Sequence, residues 1–376
     1  MRPIQMVDTK TQYLKIKEQV DAGIGDVLES AAYINGTPVK AFAKNLSSYL
    51  NVKHTITCAN GTDALQIAMM ALGLQPGDEV ITPSFTYVAT TEVVALLRLT
   101  PVFVEVDKDT FNIDPRAVEA AITPRTKAIV PVHLYGQAAN MEEIMAIAAR
   151  YNLFVIEDNA QAIGCNYTFS DGTVKKSGTI GTIGTTSFYP SKNLGAYGDG
   201  GAIFTNDDVL AEKLQMIANH GQKVRYYHDM VGCNSRLDSI QAAVLDVKLK
   251  YLDGYILARQ KAAAFYDKAF ASTDHISVPQ TAFFTNHVYH QYTLLLNNVD
   301  RDGLTRHLSA HHIPSTIYYP VPAHRQKMFA AFGGGNYHLP VTEWLTERVI
   351  SLPIHTELDE DQLEYICKHV MQFINK

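Results

Sequence analysis

Three short segments carry side chains whose types and order suit chemistry on a single ligand. The first is Ala59-Asn60-Gly61-Thr62-Asp63, between a β-branched run and an apolar-periodic stretch. A helix start leaves backbone N–H groups without partners and carries partial positive charge, which suits a phosphate. Gly61 lets the backbone come close and Thr62 adds a hydroxyl. Equally, Asn60 or Thr62 caps an ordinary helix. The second segment is Glu157-Asp158-Asn159-Ala160-Gln161, at the end of the run LFVIED. A carboxylate leaving a strand in apolar surroundings needs a partner that offsets its desolvation, and a protonated ring nitrogen is one. A surface-loop carboxylate or a helix cap is the plain alternative. The third is Ser187-Phe188-Tyr189-Pro190-Ser191-Lys192-Asn193-Leu194-Gly195. Most lysines are surface ammonium groups. A desolvated one beside cationic groups has a lowered pKa and attacks carbonyl carbon. Ser187 offers a second hydroxyl for a phosphate.

Positioning these segments requires strands that end where they begin. Residues 54–59, 79–84, 101–106, 127–133, 153–158 and 201–206 read as strands, with helical periodicity over 63–74 and in the stretches PRAVEAAI and MEEIMAIAARY. Strands alternating with helices predict an α/β domain with a largely parallel sheet, whose ligands gather at the carboxyl ends of the strands. A long helical stretch over 239–270, with a possible break at Gly254, is predicted to link this domain to a smaller α+β unit. That unit has a strand over 290–297 and helices near 302–311 and 359–374. The division expected is 1–250 for the large domain and 251–376 for the small one.

Composition excludes several function classes. The chain has 376 residues, 47% hydrophobic and 19% charged, as a folded globular protein does. A formal charge of -6 argues against a bulk nucleic-acid binder. Cys58, Cys165, Cys233 and Cys367 form no CxxC pair and read as reduced thiols of a cytoplasmic protein. No signal peptide and no apolar run near the ~20 residues of a membrane span is expected. Gly178, Gly181 and Gly184 are spaced GxxGxxG, so they are not the GxGxxG of a nicotinamide-dinucleotide fold. His307, His311 and His312 show i, i+4 spacing, but no carboxylate accompanies them, and histidines near a helix end also suit its dipole. No metal is expected.

Together, a phosphate loop, an aspartate for a ring nitrogen and a lysine for an aldehyde match pyridoxal 5′-phosphate (PLP). At this point the chain resembles the DegT/DnrJ/EryC1/StrS family of PLP-dependent nucleotide-sugar aminotransferases. The resemblance runs through CANGTDALQIAMMALGLQPGDEVITPSFTYVAT, VPVHLYGQ, VIEDNAQAIG, TSFYPSKNLGAYGDGGAIFTND, VGCNSRLDSIQAAVL, YYPVPAHRQ and SLPIH. It implies the aspartate aminotransferase-like fold (PLP fold type I), with a mixed, mostly parallel sheet between helices and a smaller C-terminal α+β domain.

The resemblance implies further that Lys192 holds the cofactor and moves protons, and that Asp158 pairs with the pyridine nitrogen. Gln161 would sit by the ring hydroxyl, Gly61, Thr62 and Ser187 would hold the phosphate, and Tyr87 would stack over the ring. Asn234 would reach the phosphate of the partner subunit in a homodimer with shared sites, unless it simply caps the helix that follows. His220, Arg225, Tyr226, Arg236, Tyr318, Tyr319 and His324 are the expected sugar-nucleotide contacts. Asn159 stands where relatives commonly have alanine and should point away from the chemistry. The activity implied is transfer of an amino group from L-glutamate, through pyridoxamine phosphate, to a nucleotide-linked keto-sugar. A dTDP-linked 3-keto-6-deoxyhexose is the first expectation, then UDP-linked 3-keto or C-4 keto sugars, for surface polysaccharide or secondary metabolites. The related sugar 3-dehydratases carry histidine in place of this lysine, so Lys192 counts against that activity. A non-catalytic sugar-nucleotide sensor is the rival from another class.

Overall fold

The computed structural model describes residues 2–375. Helices α1 (Thr9–Ser30) and α2 (Thr37–Leu50) come first, followed by β1 (His54–Cys58), α3 (Gly61–Ala71), β2 (Glu79–Pro83), α4 (Ala89–Leu96) and β3 (Thr100–Val104). Next are α5 (Pro115–Ala120), β4 (Thr126–Ile129), α6 (Met141–Tyr151), β5 (Phe154–Asp158) and a hairpin of β6 (Asn166–Thr168) and β7 (Val174–Lys176). Strands β8 (Ile183–Ser187) and β9 (Gly201–Thr205), helix α7 (Asp208–Ile217), the hairpin of β10 (Gln222–Val224) and β11 (Tyr227–His228), α8 (Ser239–Leu249) and α9 (Leu252–Phe270) follow. The C-terminal part holds β12 (Ile276–Ser277), β13 (Tyr292–Leu296), α10 (Arg301–Ala310), α11 (Pro340–Arg348), β14 (Val349–Leu352) and α12 (Glu360–Ile374).

The large sheet has seven strands in the order β1-β9-β8-β5-β4-β2-β3. Pairs β2–β3, β2–β4, β4–β5 and β5–β8 are parallel, and β9 runs antiparallel to both β8 and β1. Strands β1, β8, β5, β4 and β2 therefore all end at one edge. Successive side chains of a strand face opposite sides, so Val155 packs into one apolar layer with Phe42, Ile144 and Phe204, while Ile156 packs into another with Ile67, Val94 and Ile203. By the same alternation Asp158 shares the side of Ile156, toward α3 and α4, and Glu157 the opposite side.

Several helix ends follow local chemistry. Asn140 caps α6 by accepting from Glu143 N, with Glu142 and Glu143 in the first turn, and Asn152 closes the helix in the left-handed region. Asp359 and Gln362 form a capping box at the start of α12. The expected break at Gly254 is displaced: the helix is interrupted at Lys250–Tyr251, and Gly254 lies inside α9 with open space around it. Strand β4 is also shorter than expected, ending at Ile129.

A third apolar layer joins Tyr266, Tyr292, Leu294, Leu308, Ile350 and Ile366 of the C-terminal part. Helix α9 bridges the two parts, with Leu252 and Ile256 in the first layer and Tyr266 and Phe270 in the third. Ile4 also packs in the third layer.

Candidate active site

The site is built at the edge where β5, β8 and β1 end. Asp158, 5% exposed, accepts from Thr90 Oγ1 at 2.8 Å and from Ala160 N at 3.1 Å. Thr90 stands on α4, on the side of the sheet that alternation assigns to Asp158. On the other side Glu157 is wholly buried. It accepts from His133 Nε2 at 2.8 Å and from Gly178 N, Ile180 N and Gly181 N at 2.8, 2.6 and 2.6 Å. His133 Nδ1 accepts from Ala139 N, which places its proton on Nε2 facing the carboxylate. Glu157 thus clamps the strand that carries Asp158 to the 178–181 loop.

That loop explains the glycine spacing. A Cβ on Gly184 would lie 1.8 Å from Gly178 O, and Gly178 itself has φ +82°. These glycines permit backbone to pack on backbone. Asn159 turns its side chain away, accepting from Ser177 Oγ at 2.7 Å.

Gln161 is held at both ends of its amide. Its Oε1 accepts from Tyr135 N at 2.7 Å and its Nε2 donates to Tyr319 Oη at 2.9 Å. Burial pushes the Tyr319 phenol well above its ordinary range. The Tyr87 ring, 56% exposed, stands 6.1 Å from that of Tyr319. An exposed ring leaning on a fixed neighbour leaves one face for a planar ligand.

The start of α3 meets the end of β8. Asn60 caps the helix by accepting from Asp63 N at 2.8 Å, so Gly61 and Thr62 open the first turn. A Cβ on Gly61 would lie 2.7 Å from Ser187 Cβ, and one on Gly201, which pairs with both Cys58 and Ser187, would lie 2.4 Å from Asn60 O. Glycine at both positions lets the helix start lie directly against Ser187. From below, buried Ser235 donates to Asp63 Oδ2 at 2.6 Å and accepts from Ala59 N at 3.0 Å.

Lys192 sits in the turn after β8, its N–H donating to Tyr189 O at 2.8 Å. Gly195 closes the turn, for a Cβ there would lie 2.4 Å from Pro190 O. Lost hydration lowers the Lys192 ammonium from 10.5 to about 8, while the carboxylate of Asp158 acts the other way. Buried His290 is held neutral, far below its ordinary pKa, by desolvation and then by the positive charges of Lys192 and Arg259.

A lowered amine, a buried carboxylate and a helix start with hydroxyls beside it are the donors and acceptors that PLP requires, and they share one sheet edge. Sequence reasoning missed Thr90, Tyr135 and His290. Thr90 ends the SFTYVAT run with no chemistry of its own to mark it, His290 opens a segment that pattern reads as strand, and Tyr135 contributes a backbone N–H that no side-chain motif advertises.

Other expected residues lie elsewhere. His220, Arg225 and Tyr226 are exposed on or beside the β10–β11 hairpin. Arg225 stacks 4.9 Å over the Tyr226 ring, and no described hydrogen bond, ion pair or ring contact joins the three to Lys192. Asn234 is exposed, and α8 starts at Ser239 with Asp238 in the cap position, so Asn234 is not the cap of that helix. Arg236 lines a separate cavity of about 630 Å³ with His54, Lys40 and Glu212. Tyr318 accepts from Tyr135 Oη through its carbonyl, beside the Gln161–Tyr319 pair. His324 is buried with both ring nitrogens engaged, Nδ1 by Ser84 Oγ at 2.7 Å and Nε2 by Glu343 Oε1 at 3.2 Å, which leaves neither for a sugar.

The profile of the DegT/DnrJ/EryC1/StrS aminotransferase family matches residues 14–371. The chain belongs to this family. The aminotransferase is 48% identical over 364 residues to UDP-2-acetamido-2-deoxy-3-oxo-D-glucuronate aminotransferase of Pseudomonas aeruginosa, covering 97% of this chain and 98% of the relative. It is 46% identical over 372 residues to a pleiotropic regulatory protein of Geobacillus stearothermophilus, covering 98% of each. Among solved structures, that of NtdA from Bacillus subtilis with bound cofactor PMP superposes with a TM-score of 0.89 at 32% identity, covering 99% of this chain and 83% of that one. No helix of the aminotransferase among its described residues is long and apolar enough to cross a membrane.

Proposed function

We propose that this chain moves an amino group from L-glutamate to the C-3 ketone of a nucleotide-linked hexose, with PLP held at Lys192. The reading is carried by one sheet edge that holds a lysine with its pKa lowered to about 8 and the buried carboxylate of Asp158 near it. When bound, PLP supplies an electron sink for the charge left on carbon as a proton departs.

The chain's residues supply the rest. Asp158, fixed by Thr90 and Ala160, keeps a ring nitrogen protonated. Lys192 would hold the cofactor through its aldehyde, and its lowered amine would take up and return a proton at Nζ. Gly61 and Thr62 offer N–H groups at the helix start and Ser187 a hydroxyl, all to the phosphate. The Gln161–Tyr319 pair and the exposed Tyr87 ring would flank the cofactor's ring. His324 is left out of the substrate set because its nitrogens are already engaged.

C-3 is the position in the name of the Pseudomonas relative, and it is also the carbon the sequence favoured on a dTDP-linked sugar. The 48% identity to that relative supports ranking a UDP-linked 2-acetamido-3-keto sugar first and the dTDP-linked 3-keto sugar second. His220, Arg225, Tyr226 and Asn234, exposed within one protomer, serve a neighbouring copy's site in a homodimer, and Arg236 belongs to the same surface. Incubating the protein with glutamate and UDP-, dTDP- and GDP-linked keto-sugars, then reading product mass and regiochemistry, tests this. A 3-amino product bears the proposal out. Amination at C-4 alone would overturn it.

The regulatory relative favours one second reading, a sensor that binds the sugar nucleotide without turnover. The lowered amine of Lys192 argues against it, because a sensor has no use for a nucleophile. Absence of product from every sugar in the panel, with cofactor bound, would favour the sensor.

A further inference from the structure

The sequence shows His307 and His311 one helical turn apart, with His312 beside them and no carboxylate within residues 307–312. The fold brings up a further imidazole. His369 of α12 comes against both, with ring centroids 4.0 Å from His311 and 5.7 Å from His307, and the His307 and His311 rings are 4.5 Å apart. One nitrogen from each ring lies within 4.8 Å of the other two. His312, although adjacent in sequence, is exposed and outside the group. We propose that His307, His311 and His369 form a binding site for one divalent transition-metal ion, with Zn²⁺ and Ni²⁺ the fitting choices, which ties α10 to α12.

Two observations carry this. His311 Nδ1 lies 2.8 Å from His307 O. A carbonyl only accepts, so that nitrogen carries the proton and the Nε2 lone pair is left for a metal. A backbone carbonyl on the far nitrogen is also the usual way a ligating imidazole is oriented. His369 is 7% exposed and its Nδ1 is buried with no hydrogen-bond partner among the described residues. Such an atom is destabilising unless something binds it.

The chemistry of the donors selects the ion. Three imidazoles and no carboxylate suit Zn²⁺, Ni²⁺ or Cu²⁺ and not Mg²⁺ or Ca²⁺. Nitrogens bound at about 2.1 Å to a tetrahedral ion stand roughly 3.4 Å apart, so the pairs, all within 4.8 Å, must close by at most about 1.4 Å, within reach of ring rotations. Water completes the shell, since His307 and His311 are only partly buried. A plain aromatic cluster is the alternative, for the ring of Tyr365 lies 4.4 Å from His369 and that of Phe373 5.5 Å from His307. Aromatic packing accounts for the ring contacts but leaves the buried Nδ1 of His369 without a role. The site shares no residue with the catalytic edge, so the ion acts on the C-terminal unit and not on the chemistry.

The test uses tag-free holoenzyme, stripped with a chelator, dialysed and titrated calorimetrically with ZnCl₂ and separately with NiCl₂. One ion per chain should bind. His369→Gln and His311→Gln should each weaken binding at least about tenfold and remove the rise in Tm that Zn²⁺ gives the wild type. Unchanged cofactor absorbance and turnover in the variants show that they fold. Should His369→Gln fail that check, His311→Gln, at a partly exposed position, carries the test. No stoichiometric binding of either ion by the wild type, or equal binding by a folded variant, would overturn the proposal.

Discussion

At Asp158 the value of the carboxylate lies in its charge, and the value of Thr90 lies in where it holds that charge. The two are separable by mutation. Asp158→Asn keeps the shape and removes the charge, so kcat should fall by roughly 100-fold or more. Thr90→Val keeps the charge and removes one 2.8 Å hydrogen bond, which should cost about tenfold. Steady-state rates on the accepted keto-sugar check both. Equal losses would mean that Asp158 acts as a hydrogen-bond acceptor alone. At this scale the sequence was legible where a residue type is rare in its setting, as with the lysine in a turn and the aspartate ending a strand. It was illegible for Thr90 and His290, which gain their roles from a neighbour distant in the chain.

The elements that position these residues were read from periodicity, and their errors have local causes. The break in the 239–270 stretch was placed at Gly254, the residue with the weakest helix propensity there. The chain breaks instead at Lys250–Tyr251, where α8 ends against the large domain and α9 turns toward the small one. Packing overrode propensity. Helices α1 and α2 and the β10–β11 hairpin carried no motif and were not anticipated. The helix start at Gly61 was foreseen, but its dependence on Ser187 was not, since it arises from β9 lying between β1 and β8. Gly61→Ala should fold and yet push the α3 start off Ser187, because its Cβ would lie 2.7 Å from Ser187 Cβ. The expected result in equilibrium dialysis is cofactor affinity lower by roughly ten- to a hundredfold. Unchanged affinity would remove this helix start from the phosphate site.

Across the whole molecule, burial of neutral histidine links stability to acid. His355 is 3% exposed, and burial followed by the charge of Arg259 lowers its pKa to about 4. Below pH 6.5 the unfolded chain takes up a proton that the folded chain refuses. The contribution is therefore fully present above pH 6.5 and is lost as pH falls toward 4, at most about 3 kcal/mol from this group. His355→Gln should flatten the decline in denaturant-measured stability between pH 6.5 and 4. An unchanged slope would show that the residue titrates normally.

Assembly is tested by mixing Lys192→Ala and Asn234→Ala proteins, each of low activity alone. Shared sites restore activity, since one site of a mixed dimer carries both defects and the other neither. Mixed dimers with no regain would show that Asn234 serves only its own chain.

The central claim is that Lys192 is the amine that takes the cofactor. Borohydride reduction of the protein as purified, followed by peptide mapping, asks this directly. The account predicts the reduced phosphopyridoxyl group on Lys192, and no such label in Lys192→Ala. A label on Lys175, Lys176 or any other lysine, or none at all in cofactor-saturated protein, would contradict it.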